Sequence, residues 1–322
     1  MQLGADHVRV RVPATSANLG PGFDALGLAL GLHDVLEVRA LASDEVVVDV
    51  VGEGAGEVPG DASHLVVRAL RAALELAGAP QTGLHLTCEN QVPHGRGLGS
   101  SAAAVVAGIV AARALVADPE VLDDATVLRL ATQFEGHPDN AAPAILGGAT
   151  VAWTSAAPGH EGARAVRLAV HPDLEATVLV PSARLATSHA RGVLPASVPH
   201  ADAALNAGRA ALLVEAIARR PELLLEATED RLHQSYRSGV MPTSWELVQA
   251  LRAEGLAATV SGAGPTVLVL SASAERPRLD AVVDDLLSGA DEWEPRRLAI
   301  DEDGVRAERV PRGARTAPVG GW

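Results

Sequence analysis

Residues 93–108 read PHGRGLGSSAAAVVAG, with three glycines and two serines set between Pro93 and an alanine-rich run. The first amides of a helix have no partner inside it, and the helix dipole leaves that end positive. Glycine lets a backbone approach an anion closely, while a serine there can cap the helix or face a phosphate and its metal. The stretch fits a phosphate cradle and also an ordinary capped helix start. It matches neither G-x-G-x-x-G nor G-x-x-x-x-G-K-[ST], so the dinucleotide fingerprint and the P-loop do not apply. A second stretch, VSGAGPT (260–266), lies between two strand-like runs and carries more glycine than a hairpin turn needs. It suits either a turn or a tight loop approaching a ligand. A third, GEGAGEVPG (52–60), has Glu53 and Glu57 to repel phosphate and runs into Pro59 rather than a helix, which predicts a plain connector.

Composition narrows the chemistry further. All 26 basic side chains are arginine, which removes any mechanism that needs lysine, including Schiff bases. The net charge of −14 and the 2% aromatic content exclude phosphate-backbone binding and base-stacking platforms, so no nucleic-acid partner is expected. Backbone amides can still bind a small anion locally. Cys88 is the single cysteine, lies in a strand-like run and reads as a buried structural thiol. MQLGADHVRV lacks a basic segment followed by an apolar one, and the apolar run 102–117 is interrupted by Arg113. A soluble, cytoplasmic chain without a membrane partner is the expectation.

These groups need elements to position them. At 322 residues the chain is long for one core, which favours two domains. HVRVRV alternates as a strand ending at Pro13, and DVLEVRA and EVVVDVV read as two more. ASHLVVRALRAALELAG has helical spacing, with Asp61 or Ser63 as cap and Gly78 as terminator. GLHLTCENQVP returns to strand before the glycine loop and its helix. PEVLDDATVLRLATQFEG and DNAAPAIL continue as helix, then GGATVAW as strand. TSAAPGHEGARAV (154–166), rich in small residues, Pro and Gly, is the expected boundary. Beyond it the order is strand, helix, strand, strand, helix, strand when the first helical region is counted once, the ferredoxin-like order. The fold class is therefore α+β. The tail, 311–322, has no periodicity and is expected to be disordered.

VPATSANLGPGFDALGLAL (12–30), VPHGRGLGSSAAA (92–104) and ATVSGAGPT (258–266) resemble, in order, the three motifs of the GHMP small-molecule kinases. With EGHPDNAAPAILGG (135–148) and TSHARGVLP (187–195), the chain is most similar within that superfamily to the homoserine kinase family. The resemblance implies a domain like the second domain of ribosomal protein S5 over 1–165 and a ferredoxin-like domain over 166–310. It implies ATP and Mg²⁺ as cofactors and transfer of the γ-phosphoryl group to the hydroxyl of L-homoserine, on the route to threonine. A homodimer is also expected, since that family is often dimeric.

By the same resemblance, Pro93, His94, Gly95, Arg96, Gly97, Leu98, Gly99, Ser100, Ser101, Ala102 and Ala103 surround the nucleotide with Gly262 and Gly264. Ser101 and Glu135 hold the metal. Asn18 and Asp24 face the hydroxyl and amino ends of the substrate, Arg191 and Arg237 take its carboxylate, and Thr187, His137 and Asn140 complete the lining. Asn18, Asn140 and Arg191 are the expected catalytic residues. Several relatives in the superfamily use an aspartate base where this chain has Asn140, so the proton is expected to leave through the phosphate. Ala186 and His189 depart from the family pattern in the loop before Arg191. A mevalonate- or sugar-type kinase fits the arginine pair less well. A non-catalytic ligand-binding regulator fits the retained serine pair and Glu135 less well.

Overall fold

The computed structural model describes residues 2–311; the expected disordered tail falls, from residue 312 on, outside the described residues. The first part of the chain runs β1 (His7–Ala17), β2 (Leu26–Leu41), β3 (Val46–Gly52), α1 (Leu65–Leu76), β4 (Gly83–Asn90), α2 (Ser100–Leu115), α3 (Asp124–Glu135), α4 (Ala141–Leu146), β5 (Ala149–Ser155) and β6 (Gly162–Leu168). It continues as β7 (Leu174–Pro181), α5 (Thr187–Gly192), α6 (His200–Ala218), α7 (Leu224–Ala227), α8 (Gln234–Arg237), α9 (Pro242–Ala253), β8 (Ala257–Val260), β9 (Val267–Ala272), α10 (Arg276–Leu286), β10 (Trp293–Leu298) and β11 (Arg306–Arg309).

One sheet has the order β11-β1-β2-β4-β3, with β5 on the first part of β2 and β6 beyond β5. The first strand does not stop at Pro13. It continues to Ala17, with a register irregularity between Pro13 and Ala14, the kind of place where a strand tolerates a residue without an N–H. Val8, Val10 and Val12 pack under α1 to α4, whereas Ala14 joins a second core. Helix α2 is apolar on every side because it is enclosed: eleven of its sixteen residues are buried. The cap of α1 is neither Asp61 nor Ser63. His64 Nδ1 accepts from the Val66 amide at 3.3 Å, and Asp61 binds Ser63 instead.

The second sheet has the order β10-β7-β9-β8, antiparallel throughout, which is the ferredoxin-like arrangement read from the sequence. Helices α9 and α10 cover one face around Leu247, Leu251 and Leu279. The other face, with α6, closes on Ala14, Leu28, Leu30, Val92 and Leu98, so both halves share this core. Two expectations about domain limits need correction. The stretch 154–166 links β5 to β6 as a hairpin inside the first sheet, so a division at 165/166 would cut β6. Residues 306–309 return to pair with β1 and do not belong to the second unit. No helix among the described residues is long and apolar enough to cross a membrane.

Candidate active site

The glycine loop enters α2 through three residues in left-handed conformation, Gly95 (φ 65°), Gly97 (φ 75°) and Gly99 (φ 72°). Close packing also requires two of them. A Cβ on Gly97 would lie 2.3 Å from the Ser261 carbonyl, and one on Gly99 would lie 2.0 Å from Thr15 Oγ1. All three glycine-bearing motifs meet here. The Thr15 amide donates to Leu98 O at 3.0 Å, the Gly262 amide to Ala17 O at 3.0 Å, and the Ser261 hydroxyl to Gly97 O at 2.6 Å.

Helix α2 then presents Ser100 and Ser101 at its start. Ser101 Oγ donates to Glu135 Oε1 at 2.6 Å, bringing the C-terminal end of α3 to the same point. Burial raises the Glu135 pKa, against the hydrogen bond from Ser101. A hydroxyl beside a half-buried carboxylate, next to unpaired helix amides, is a hard oxygen donor pair that fits a magnesium ion shared with phosphate oxygens.

Several residues of the loop are tied to protein atoms. Arg96 was expected beside the nucleotide, yet its Nε donates to Pro181 O at 2.9 Å, its Nη2 to Ser182 O at 3.1 Å, and its Nη1 lies 3.6 Å from Glu53. It pins the loop to the end of β7. Leu98 and Pro93 are buried, Leu98 in the shared core. Gly264 packs on Met241, where a Cβ would sit 2.5 Å from the sulfur.

A cavity of about 470 Å³ opens at the start of α2. Gly95, Gly97, Gly99 and Ser100 to Ala102 line it, with Gly262 packed beside Gly97. Glu135, His137 and Asn140 line it too, as do Asn18, Thr187, Arg191 and Arg237. Asn140 Oδ1 accepts from Thr15 Oγ1 at 2.9 Å, which leaves its amino group to donate. His137 is hydrogen-bonded to the buried Asp139. Burial would lower the His137 pKa, but the Asp139 bond and charge outweigh it and raise the pKa above the ordinary value.

Asn18 (φ 69°) and Asp24 (φ 56°) hold left-handed conformations around the turn between β1 and β2. Each end of the Asn18 amide makes one bond: Oδ1 accepts from the Asp24 amide at 2.9 Å and Nδ2 donates to Gly262 O at 2.8 Å. Asp24 and Arg191, expected at the amino and carboxylate groups of a substrate, form a forked pair at 2.5 and 3.1 Å. Both the Arg191 and Arg237 guanidiniums lie over the Phe23 ring, at 5.6 and 5.5 Å. Burial lowers the Arg237 pKa to about 10, and Arg191 pushes the same way. Two cations concentrated this way favour a bound carboxylate.

A second, mainly apolar cavity of about 360 Å³ shares Ser100 and Ser101 with the first and runs behind α2 between α1 and β2. Val58, Pro59, His64, Val66 and Ala103 are among its walls. The acidic stretch 52–60 is thus more than a connector: its Val-Pro step forms one wall, and Glu53 faces the His94 amide at 3.4 Å. Sequence reading missed this cavity. The available signal was the run of small residues on α2, Ala103, Ala104 and Ala107, which leaves space beside the helix.

The family model for the GHMP kinases N terminal domain matches residues 64–148, and that for the GHMP kinases C terminal domain matches 203–287. Together they place the chain in the class that fold and cavity define. A homoserine kinase of Streptomyces coelicolor is 54% identical over 92% of this chain and 93% of its own. One of Clavibacter michiganensis is 50% identical over 96% of each. The crystal structure of a homoserine kinase from Cytophaga hutchinsonii superposes with a TM-score of 0.80 at 26% identity, covering 95% of this chain and 98% of that one. The chain belongs to the homoserine kinase family of GHMP kinases.

Proposed function

We propose that the protein transfers the γ-phosphoryl group of ATP to the hydroxyl of L-homoserine, giving ADP and O-phospho-L-homoserine for threonine biosynthesis. The observation that carries this reading is one cavity lined by a helix start, the Ser101–Glu135 pair, Arg191 and Arg237, with Asp24 paired to Arg191. The apolar cavity beyond Ser100 suits the nucleotide base, with the phosphates on the 95–101 loop.

Phosphoryl transfer needs chiefly positioning and charge neutralisation. Ser101 and Glu135 would hold Mg²⁺, which when bound offsets charge on the phosphate oxygens. Arg191 and Arg237 take the substrate carboxylate, and Asp24 takes its amine. The substrate oxygen forms a bond to the γ-phosphorus as the bond to the β–γ bridging oxygen breaks, and the hydroxyl proton passes to a phosphate oxygen. Asn140 cannot accept that proton; its amino group holds the reacting hydroxyl in line. Asn18 makes one bond from each polar end, fixing Asp24 and Gly262, and lines the cavity, so we assign its remaining N–H to orienting the hydroxyl.

The test is ADP release with a panel of L-homoserine, L-serine, mevalonate and galactose, with Mg²⁺ and with EDTA. L-Homoserine should give the highest kcat/KM, and EDTA should abolish turnover. Preference for another member of the panel overturns the substrate, and undiminished turnover in EDTA overturns the metal.

A further inference from the structure

Arg237 is 1% exposed and has no carboxylate within ion-pair distance among the described residues. Its Nε donates to the Ala190 carbonyl at 3.0 Å, and its Nη1 reaches His233 Nδ1 at 3.0 Å and the Gly262 carbonyl at 3.4 Å. A guanidinium only donates. His233 Nδ1 must therefore be the unprotonated ring nitrogen, which leaves the ring hydrogen on Nε2. That nitrogen faces the Gly20 carbonyl at 2.8 Å. The imidazole is neutral and engaged at both ends in a fully buried position. Burial holds its pKa below the ordinary histidine value against the pull of Asp230, and Arg237 acts with burial. Asp230 lies 3.8 Å from Nε2 but is committed elsewhere: its carboxylate accepts from the amides of Leu232 and Gln234 at 2.9 and 2.8 Å. It thereby fixes the start of α8, from which His233 and Arg237 project one turn apart.

Gly20 lies in the turn that also carries Asn18 and Asp24. The geometry points to His233 as a positioning residue that sets Arg237 at a fixed spacing from that turn, so that one substrate meets the Arg237 guanidinium and the Asp24 carboxylate together. An apolar side chain of similar volume would fill the space but leave the Gly20 carbonyl without this donor. It would also leave Arg237 Nη1 with only the longer contact to Gly262. A glutamine can restore both bonds, accepting with its oxygen and donating with its nitrogen. This inference rests on the homoserine reading above.

The experiment compares the full chain carrying His233→Leu or His233→Gln with wild type, varying L-homoserine and ATP separately and recording thermal melts. His233→Leu should raise the homoserine KM about tenfold or more and leave the ATP KM within about twofold, while His233→Gln should bring the homoserine KM back to within about threefold of wild type. A homoserine KM for His233→Leu within about twofold of wild type overturns the inference. So does an equal rise in both KM values for both variants, which would mark a packing role alone. If His233→Leu does not fold, a folded His233→Gln decides: a near-normal homoserine KM supports the inference and a large rise overturns it. Failure of the homoserine reading would be seen separately, as wild type that releases no ADP with homoserine, and this inference would fall with it.

Discussion

Asp34 lies at the wall of the apolar cavity, with Oδ1 accepting from the amides of Gln91 and Val92 at 2.7 and 2.9 Å. Burial raises its pKa to about 6, more than those two bonds lower it. The folded protein therefore holds a proton that the unfolded chain releases nearer pH 4, so stability falls as pH rises through that window and stays lower above it. Asp34→Asn keeps an acceptor for both amides and removes the buried charge, a gain on the order of 3 kcal/mol at most. Ligand-free melts should show the variant more stable by several degrees at pH 8, with the difference gone near pH 4. An unchanged Tm at pH 8 would mean that the carboxylate is better compensated than this. At this scale the motifs located Asn18, Asp24, Arg191 and Arg237, because their residue types and order are distinctive. They could not show that Asp24 and Arg191 bond to each other, nor that His64 and Val58 wall a cavity, since both depend on which elements face one another.

Glycine positions separate two demands on the loop between β4 and α2. Gly95 and Gly97 both have positive φ, but a Cβ on Gly95 would meet nothing nearer than 3.6 Å, while one on Gly97 would be driven into the Ser261 carbonyl. Gly97→Ala should therefore lower kcat/KM by about a hundredfold or more and lower Tm, as the 260–266 hairpin is pushed from the loop. Gly95→Ala should carry only the cost of left-handed backbone, about 1 kcal/mol, and retain most activity. Equal losses in both, measured by kinetics and thermal melts, would show that φ rather than packing governs the loop. The helices and strands around it were legible from periodicity, and α3 starts at its Asp123 cap. The 154–166 segment was not, because Pro, Gly and small residues mark a hairpin loop as readily as a linker. Pro13 misled for a related reason: it breaks a regular strand but is accommodated at a register irregularity.

The whole molecule is held by contacts that no local pattern announces. One core draws Leu98 from the glycine loop, Leu28 and Leu30 from the first sheet and Val178, Leu268 and Ile217 from the second part of the chain. The site depends on both parts remaining registered, with Arg96 a further tie. The βαββαβ order was readable because it is consecutive in the chain, whereas the return of β11 joins residues about 300 positions apart (Val8 with Arg309). Arg309 also donates to the carbonyls of Ala114 and Val116 at the end of α2, at 2.9 and 2.7 Å. Ending the chain before Arg306 should lower Tm by about 5 °C or more, or yield aggregated protein, because β1 then presents an unpaired edge. An unchanged melt would show the strand to be dispensable. The same pairing has a consequence for biosynthesis. β1 leaves the ribosome early, and its outer partner is translated on the order of 15 s to a minute later. Throughout that interval the nascent chain carries an open strand edge, a place for a chaperone to hold it.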